Sequence, residues 1–385
     1  SGSEDFLIED GVLTAYVGDA EEVSVPDGVT EIGTQAFLNN TGVKRVTLPE
    51  TVEKIGDGAF RGCSSLEEME LPAGLKEIGK SAFSGCINMK GTTLPEGLEK
   101  LGAYAFSNCK SLTGNLVIPD TIKIVGDGAF DSCSGLDGTL TLPEGLEEIG
   151  SYAFYKCSGL TGKLTLPKGL KAIKDRAFYG CQSLTGDLII PDSVETVGEC
   201  AFYDCYGFNG VLKLSENMEE LTNSVFYNCN GLTGTVTIPD DVKKIGSYAL
   251  ANCRSLTDLV IGKGVTNIYS YYYWSSARTA WQGCNSLETI TFLGEKEPII
   301  NESLTATSSN TSYIGYLFNL ENLKTIYVMQ ESLEKYQSAW SAYIPSTVSF
   351  SADTLQLPVS NFSSTYTGSH SVDLSWTPFV NSDII

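Results

Sequence analysis

Apolar positions along this chain recur with a period far longer than that of a helix or a strand. Aligned on the phenylalanine of an Ala-Phe pair, the series runs Phe37, Phe60, Phe83, Phe106, Phe130, Phe154, Phe178, Phe202, Phe226 and Leu250, in three steps of 23 residues and then six of 24. Alanine precedes this position in every repeat but one, where Val225 stands. Cysteine follows three residues later from Cys63 to Cys253, and Asn40 takes that place in the first repeat. Five residues before the phenylalanine lies an aliphatic residue, from Ile32 to Ile245, and eleven before it lies proline, with Ser215 the exception. Glycine follows the aliphatic residue in eight of ten repeats, which predicts a turn needing positive φ.

A unit of 23 or 24 residues has too little apolar surface to fold alone, but stacked units bury equivalent side chains in ladders. The alternation around Leu116-Val117-Ile118 predicts a short strand, which proline then ends. The segment Gly-x-x-Ala-Phe-x-x-Cys has helical spacing and predicts a short helical turn. Strands paired in parallel between coils, about 4.8 Å apart, make a body on the order of 55 Å long from about twelve coils. The expected fold is a β-rich, mixed repeat solenoid, a right-handed superhelix with short parallel strands and short helical turns.

With proline, isoleucine-glycine, alanine-phenylalanine and cysteine all at fixed offsets, the chain resembles the BspA-type, or Treponema-type, leucine-rich repeat of bacterial surface proteins. The resemblance covers roughly residues 6 to 330. The opening Phe6 to Gly18, with Asp10-Gly11 at a hairpin turn, resembles that family's usual entry. The resemblance implies an extracellular adhesion or recognition role and brings no catalytic residues with it. The expected division is a capping hairpin over 1–22, repeats over 23–294, a degenerate repeat and cap over 295–350, and a different segment over 351–385.

The repeat fails in two places. After Ile268 about seven residues are inserted before Ala280-Trp281, and they include Tyr269, Tyr271, Tyr272, Tyr273 and Trp274. Such a loop either packs over the coil edge or binds a ligand through its aromatic area. The second break, Glu295 to Tyr313, is polar; Leu317, Leu320 and Leu323 then restore a weak coil, and Glu331 to Tyr343 reads as an amphipathic helix capping the open end. Beyond it, Leu357–Phe362 and Ser371–Trp376 alternate like two strands of a β-sandwich and resemble the opening of a fibronectin type III or other immunoglobulin-like module. Such a module needs about 90 to 100 residues, so the sequence reads as part of a longer multidomain protein.

Composition narrows the chemistry. The formal net charge of −22 repels nucleic acid and anionic lipid. No apolar run is long enough to insert in a membrane as a helix. The one histidine, His370, leaves residues 1 to 369 without an imidazole base or ligand. The expectation is therefore a non-enzymatic protein without cofactor or metal, secreted or displayed at the cell surface, acting as a monomer.

Three rows remain as candidate chemistry. The cysteines stand one per coil, which argues against clustered metal ligation and for buried free thiols; Cys200 stands outside the row and reads as the most exposed thiol. Carboxylates follow the proline in eight of ten repeats, interrupted by Ala73 and Lys168, and read as solvated turn residues with calcium binding as the sharper alternative. Tyrosine follows the phenylalanine at Tyr155, Tyr179, Tyr203 and Tyr227, which stacking turns into a stripe, either partly buried or a binding face. The expected ligand is a protein or glycan at a host or cell surface, met by that stripe, by Tyr271–Trp274, or by the outward strand positions. A spacer between other modules is the structural alternative.

Overall fold

The structure, a computed structural model, describes residues 3–91, 93–273, 276–301, 309–352, 362–366 and 372–376. The chain winds into a parallel β-solenoid of about 13 turns. It opens with an antiparallel hairpin, Phe6–Glu9 with Val12–Tyr16, whose Asp10-Gly11 turn holds both residues at positive φ, 48° and 81°. From Val12-Leu13 onward each coil adds a rung through the aliphatic position: Glu31–Ile32, Lys54–Ile55, Glu77–Ile78 and Lys100–Leu101 pair in parallel, in one register. That ladder lapses between Leu101 and Ile124, the step at which the repeat lengthens from 23 to 24 residues, and resumes through Val197. A second ladder carries the strand before the proline. It is two residues wide at Leu116–Val117 and grows into a five-stranded parallel sheet from Gly234–Ile238 to Ser349–Ser351.

The third side of each coil is the Ala-Phe segment, and here the structure departs from the helical turn expected. At Gly58–Cys63 the N–H groups of Gly58, Phe60 and Gly62 donate to Lys80, Ala82 and Ser84 of the next coil at 2.7 to 2.8 Å. The intervening N–H groups of Ala59, Arg61 and Cys63 close turns onto the carbonyl three residues back. Two positions per coil make this possible. Two before and two after the phenylalanine the backbone is left-handed: Gln35 and Asn39, Tyr104 and Asn108, Tyr152 and Lys156, Cys200 and Asp204, Tyr248 and Asn252 all have φ between 53° and 60°. Each left-handed residue reverses the curl of the preceding turn, so the segment stays flat against its neighbour instead of closing into a helix.

The glycine after the aliphatic residue also has a different reason from the one expected. Gly56, Gly79, Gly102, Gly150 and Gly198 are absent from the positive-φ residues. A Cβ at Gly102 would instead lie 2.5 Å from the backbone of Gly79 and Lys80 in the preceding coil. The position is glycine because two backbones meet there.

Side chains from the three sides meet in one continuous core. The rings of Tyr16, Phe37 and the eight phenylalanines from Phe60 to Phe226 stack with neighbouring centroids 4.8 to 5.7 Å apart and planes within 23°. All eleven cysteines are free and ten are buried. Each ladder thiol also donates to the backbone carbonyl at the phenylalanine place of the preceding coil, as Cys157 Sγ does to Phe130 O at 3.0 Å. Burial raises the pKa of these thiols, to about 12 at Cys63 and Cys284.

At the far end Trp281 takes the phenylalanine place, and its indole N–H donates to Leu317 O at 3.0 Å. Two short helices close the core. Thr311–Phe318, capped by the Asn310 side chain, buries Tyr313, Ile314, Leu317 and Phe318. Leu333–Trp340 buries Tyr336 and Trp340 against Phe292 and Phe318. The first of these falls in a stretch read from sequence as polar break and degenerate coil; the second lies within the expected capping helix. Of the segment read as a β-sandwich opening, only Phe362–Tyr366 paired antiparallel with Val372–Trp376 is described. The rest lies outside the described residues. Among the described residues no helix is long and apolar enough to cross a membrane.

Candidate binding surface

Because the flat Ala-Phe ribbon repeats its backbone in every coil, side chains at one offset form straight rows across the coils. The residue after the phenylalanine points away from the core, and at this offset Tyr155, Tyr179, Tyr203 and Tyr227 are brought together as a stripe. Centroids are 4.9 Å apart for the first pair, 4.6 Å for the second and 4.4 Å for the third. The planes of Tyr179 and Tyr203 differ by only 3°. The left-handed position two before the phenylalanine extends the row, since Tyr152 lies 5.3 Å from Tyr155 and Tyr248 lies 5.4 Å from Tyr227. Sequence reasoning missed these two. Arg176 covers the other side of Tyr152, 5.5 Å from its centroid, and donates to its hydroxyl at 3.0 Å.

All six rings are half-buried. Stacking covers both faces of Tyr179 and Tyr203, so what these rings leave to solvent is their edges. Burial and the neighbouring phenols raise the pKa of Tyr203. Burial, with Asp204 and Tyr155 adding, raises that of Tyr179. The two central phenols, Tyr179 and Tyr203, therefore keep their protons at physiological pH. Cys200, read as the most exposed thiol, is half-buried in this surface; burial raises its pKa while Arg176 opposes the rise.

The tyrosine-rich insertion leaves the solenoid from the same corner, one coil beyond Tyr248. Its backbone is an antiparallel hairpin, Tyr271–Tyr273 with Ser276–Arg278. The side chains of Tyr271, Tyr272 and Tyr273, and all of Trp274, lie outside the described residues. At the base of the hairpin the hydroxyls of Tyr269, Ser270 and Thr279 are buried without a hydrogen-bond partner among the described residues, and Ser270 and Thr279 are at most 1% exposed. Buried hydroxyls left unpaired cost about 1–3 kcal/mol each.

The remaining candidate rows do not converge. The carboxylates after the proline stand at most one per coil, seven of the eight exposed and Asp240 half-buried, and no group of three metal-ligating side chains occurs among the described residues. Nine of the twelve outward strand positions from Asn115 to Thr237 are exposed; Asp187, Thr235 and Thr237 are half-buried.

Comparison with known proteins agrees with this geometry. The BspA type leucine rich repeat region matches overlapping stretches, 15–137, 113–186, 147–280 and 185–306. A leucine-rich repeat protein from Bacteroides ovatus is similar over 90% of this chain and 99% of its own, at 25% identity with a TM-score of 0.51. The pneumococcal vaccine antigen PcpA is similar over 86% of this chain and 78% of its own, at 22% identity with a TM-score of 0.50. A leucine-rich repeat protein of T. pallidum is 31% identical over 54% of this chain and 90% of its own, with a TM-score of 0.44. No match is found among curated proteins.

Proposed function

The chain belongs to the BspA-type leucine-rich repeat family, and from that premise we propose that it is a secreted or surface-displayed adhesion and recognition protein without catalytic activity. Its relatives are repeat scaffolds, and one solved relative is a vaccine antigen. The binding face is the tyrosine stripe from Tyr152 to Tyr248 together with the hairpin that begins at Tyr271.

One observation carries the choice of face. Tyrosines contribute large contact area and a polar edge at low entropic cost, and here they occupy successive coils and end beside the most tyrosine-rich segment of the chain. The same geometry favours a protein over a glycan. Sugar rings stack on open aromatic faces, and the faces of Tyr179 and Tyr203 are taken by their neighbours. Ring edges suit the mixed apolar and polar surface of a protein partner. Residues 1–22 and 295–350 act as caps that keep the ends of the array from aggregating.

The test is a pull-down from extracellular-matrix and mucin extracts, run beside a glycan array. Wild type is compared with Tyr179→Ala/Tyr203→Ala/Tyr227→Ala and with a chain in which 272–277 is replaced by a Gly-Gly turn. Protein ligands retained by wild type and lost by both variants support the reading. Ligands retained equally by all three, or saturable glycan binding that survives the triple change, would overturn it.

A further inference from the structure

We propose that the strand face around Ile189 is a binding site for a compact organic anion with an apolar body, such as an amphiphilic carboxylate or sulfonate. The repeat breaks its own charge pattern here. The position after the proline is acidic at Glu144, Asp192 and Glu216, but in the coil between the first two it is Lys168. One of the two outward strand residues of that coil is Lys163, and two coils further on Lys213 stands at the other outward position. All three lysines are exposed and line one cavity of about 470 Å³, within the range of small-molecule sites. Its floor is Leu164, Leu166, Ile189, Ile190 and Pro191. Ile189 is left 36% exposed, with Val211 beside it at 44%.

Eight lysines of this acidic chain are paired with acids, among them Lys44, Lys90 and Lys174. Among the described residues ten ion pairs form, most of them between neighbouring coils, and none uses Lys163, Lys168 or Lys213. Two acids lie close, Asp192 in the lining itself and Asp187 two residues before Ile189, and both accept backbone N–H bonds. Asp187 accepts from Val211 N at 2.9 Å and Asp192 from Glu216 N at 3.2 Å. Three ammonium groups against the single carboxylate of Asp192 in the lining leave the cavity net positive, and with its apolar floor it complements a ligand that is anionic at one end and greasy at the other.

The surroundings set its size. Glu144 lies one coil before Lys168 and Glu216 two coils after, and coils are about 4.8 Å apart. An extended acidic peptide of more than about four residues, at roughly 3.3 Å each, would run onto those carboxylates. A compact anion would not. The net charge of −22 repels anions from the molecule as a whole, so capture of one requires this local reversal.

The test uses the fluorescent sulfonate 1-anilinonaphthalene-8-sulfonate, titrated into the whole chain at low and high salt. Competitors are dodecanoate, dodecanol and dodecyltrimethylammonium below their micellar limits, and an acidic hexapeptide. The expected result is displacement by dodecanoate at least about tenfold more effective than by dodecanol, none by the cation, and weaker binding at high salt. Lys163→Gln/Lys168→Gln/Lys213→Gln should lose at least about tenfold in affinity, and Ile189→Glu should abolish binding. Both changes are at exposed positions, so circular dichroism should show an unchanged fold. The control Lys44→Gln/Lys76→Gln should bind as wild type. Equal displacement by dodecanol, wild-type affinity in the triple variant, or preference for the hexapeptide would overturn the proposal.

Discussion

Replacing Gly102 with alanine tests why glycine recurs after the aliphatic rung. The added Cβ would lie 2.5 Å from Gly79 C and Lys80 N and 2.8 Å from Gly79 O. Ordinary contact begins at 3.4 Å, so the two coils must separate by most of an ångström at this point or distort around it. Overpacking of this kind costs about 1–3 kcal/mol. Backbone on the receiving side cannot rotate away, which places Gly102→Ala near the top of that range. Alanine returns about 0.4–1 kcal/mol by restricting the unfolded chain, leaving a net loss of about 2 kcal/mol. Lys174 and Thr222 occupy the same place in two coils, so the ribbon can open, and the energy lies in moving it. Gly114 is the control, because its φ is +85° and nothing lies within 4 Å of an added Cβ; Gly114→Ala should lose about 1 kcal/mol by conformation alone. Urea unfolding followed by circular dichroism gives both values. Amide exchange shows whether the Gly102 effect is confined to the adjoining coils, since long arrays need not unfold in one step. A Gly102→Ala loss no greater than that of Gly114→Ala would refute the close-approach explanation.

Three further outcomes are expected from the same geometry. The ten buried ladder thiols keep their protons when folded, with a pKa of about 12 at Cys63 and Cys284 against an ordinary 9.0, so the unfolded chain releases protons first as pH rises. Their contribution is complete below about pH 9 and falls between about 9 and 12, by up to roughly 1.4 kcal/mol per thiol per pH unit. Urea midpoints should therefore drop steeply in alkali, and Cys157→Ala should make the slope shallower by one proton; a flat profile would contradict the burial. Ser81 is left-handed at φ 54°, and Ser81→Gly should raise stability by about 0.5 kcal/mol, the strain relieved less the entropy glycine adds, whereas a fall in thermal midpoint would count against strain there. Thr279→Val removes a buried unpaired hydroxyl and should stabilise by about 1 kcal/mol; destabilisation in calorimetry would show that the hydroxyl has a partner.

The architecture was legible because a buried ladder demands the same side chain at every turn, and Phe, Cys and Ile record that demand at fixed offsets. The geometry of the ribbon was only half legible. Two residues after the phenylalanine, Asn39, Asn108, Asn228 and Asn252 with Gly62, Gly85 and Gly180 signal left-handed backbone in the ordinary way. Two residues before it the same conformation is held by Gln35, Ser81, Tyr104, Arg176 and Cys200, which carry no such signal, because the hydrogen bonds between coils impose the conformation and override local preference. The stripe was found from one offset, and its ends, Tyr152 and Tyr248, were missed because they lie at another offset and meet the rest only across coils. Helix Thr311–Phe318 was missed although Tyr313, Ile314, Leu317 and Phe318 fall on one face behind the capping Asn310; its flanks are polar and the repeat had lapsed.

Among the described residues each coil is tied to the one before and the one after, by backbone bonds that run along the length of the molecule. If the chain holds a cell to a surface, shear pulls along or across that stack. A load entering at one terminus would detach the outermost turn first and pay out slack in increments of one repeat, dissipating energy while the remaining turns stay wound. A tether made this way yields gradually and can rewind from the turns still intact when the force is released.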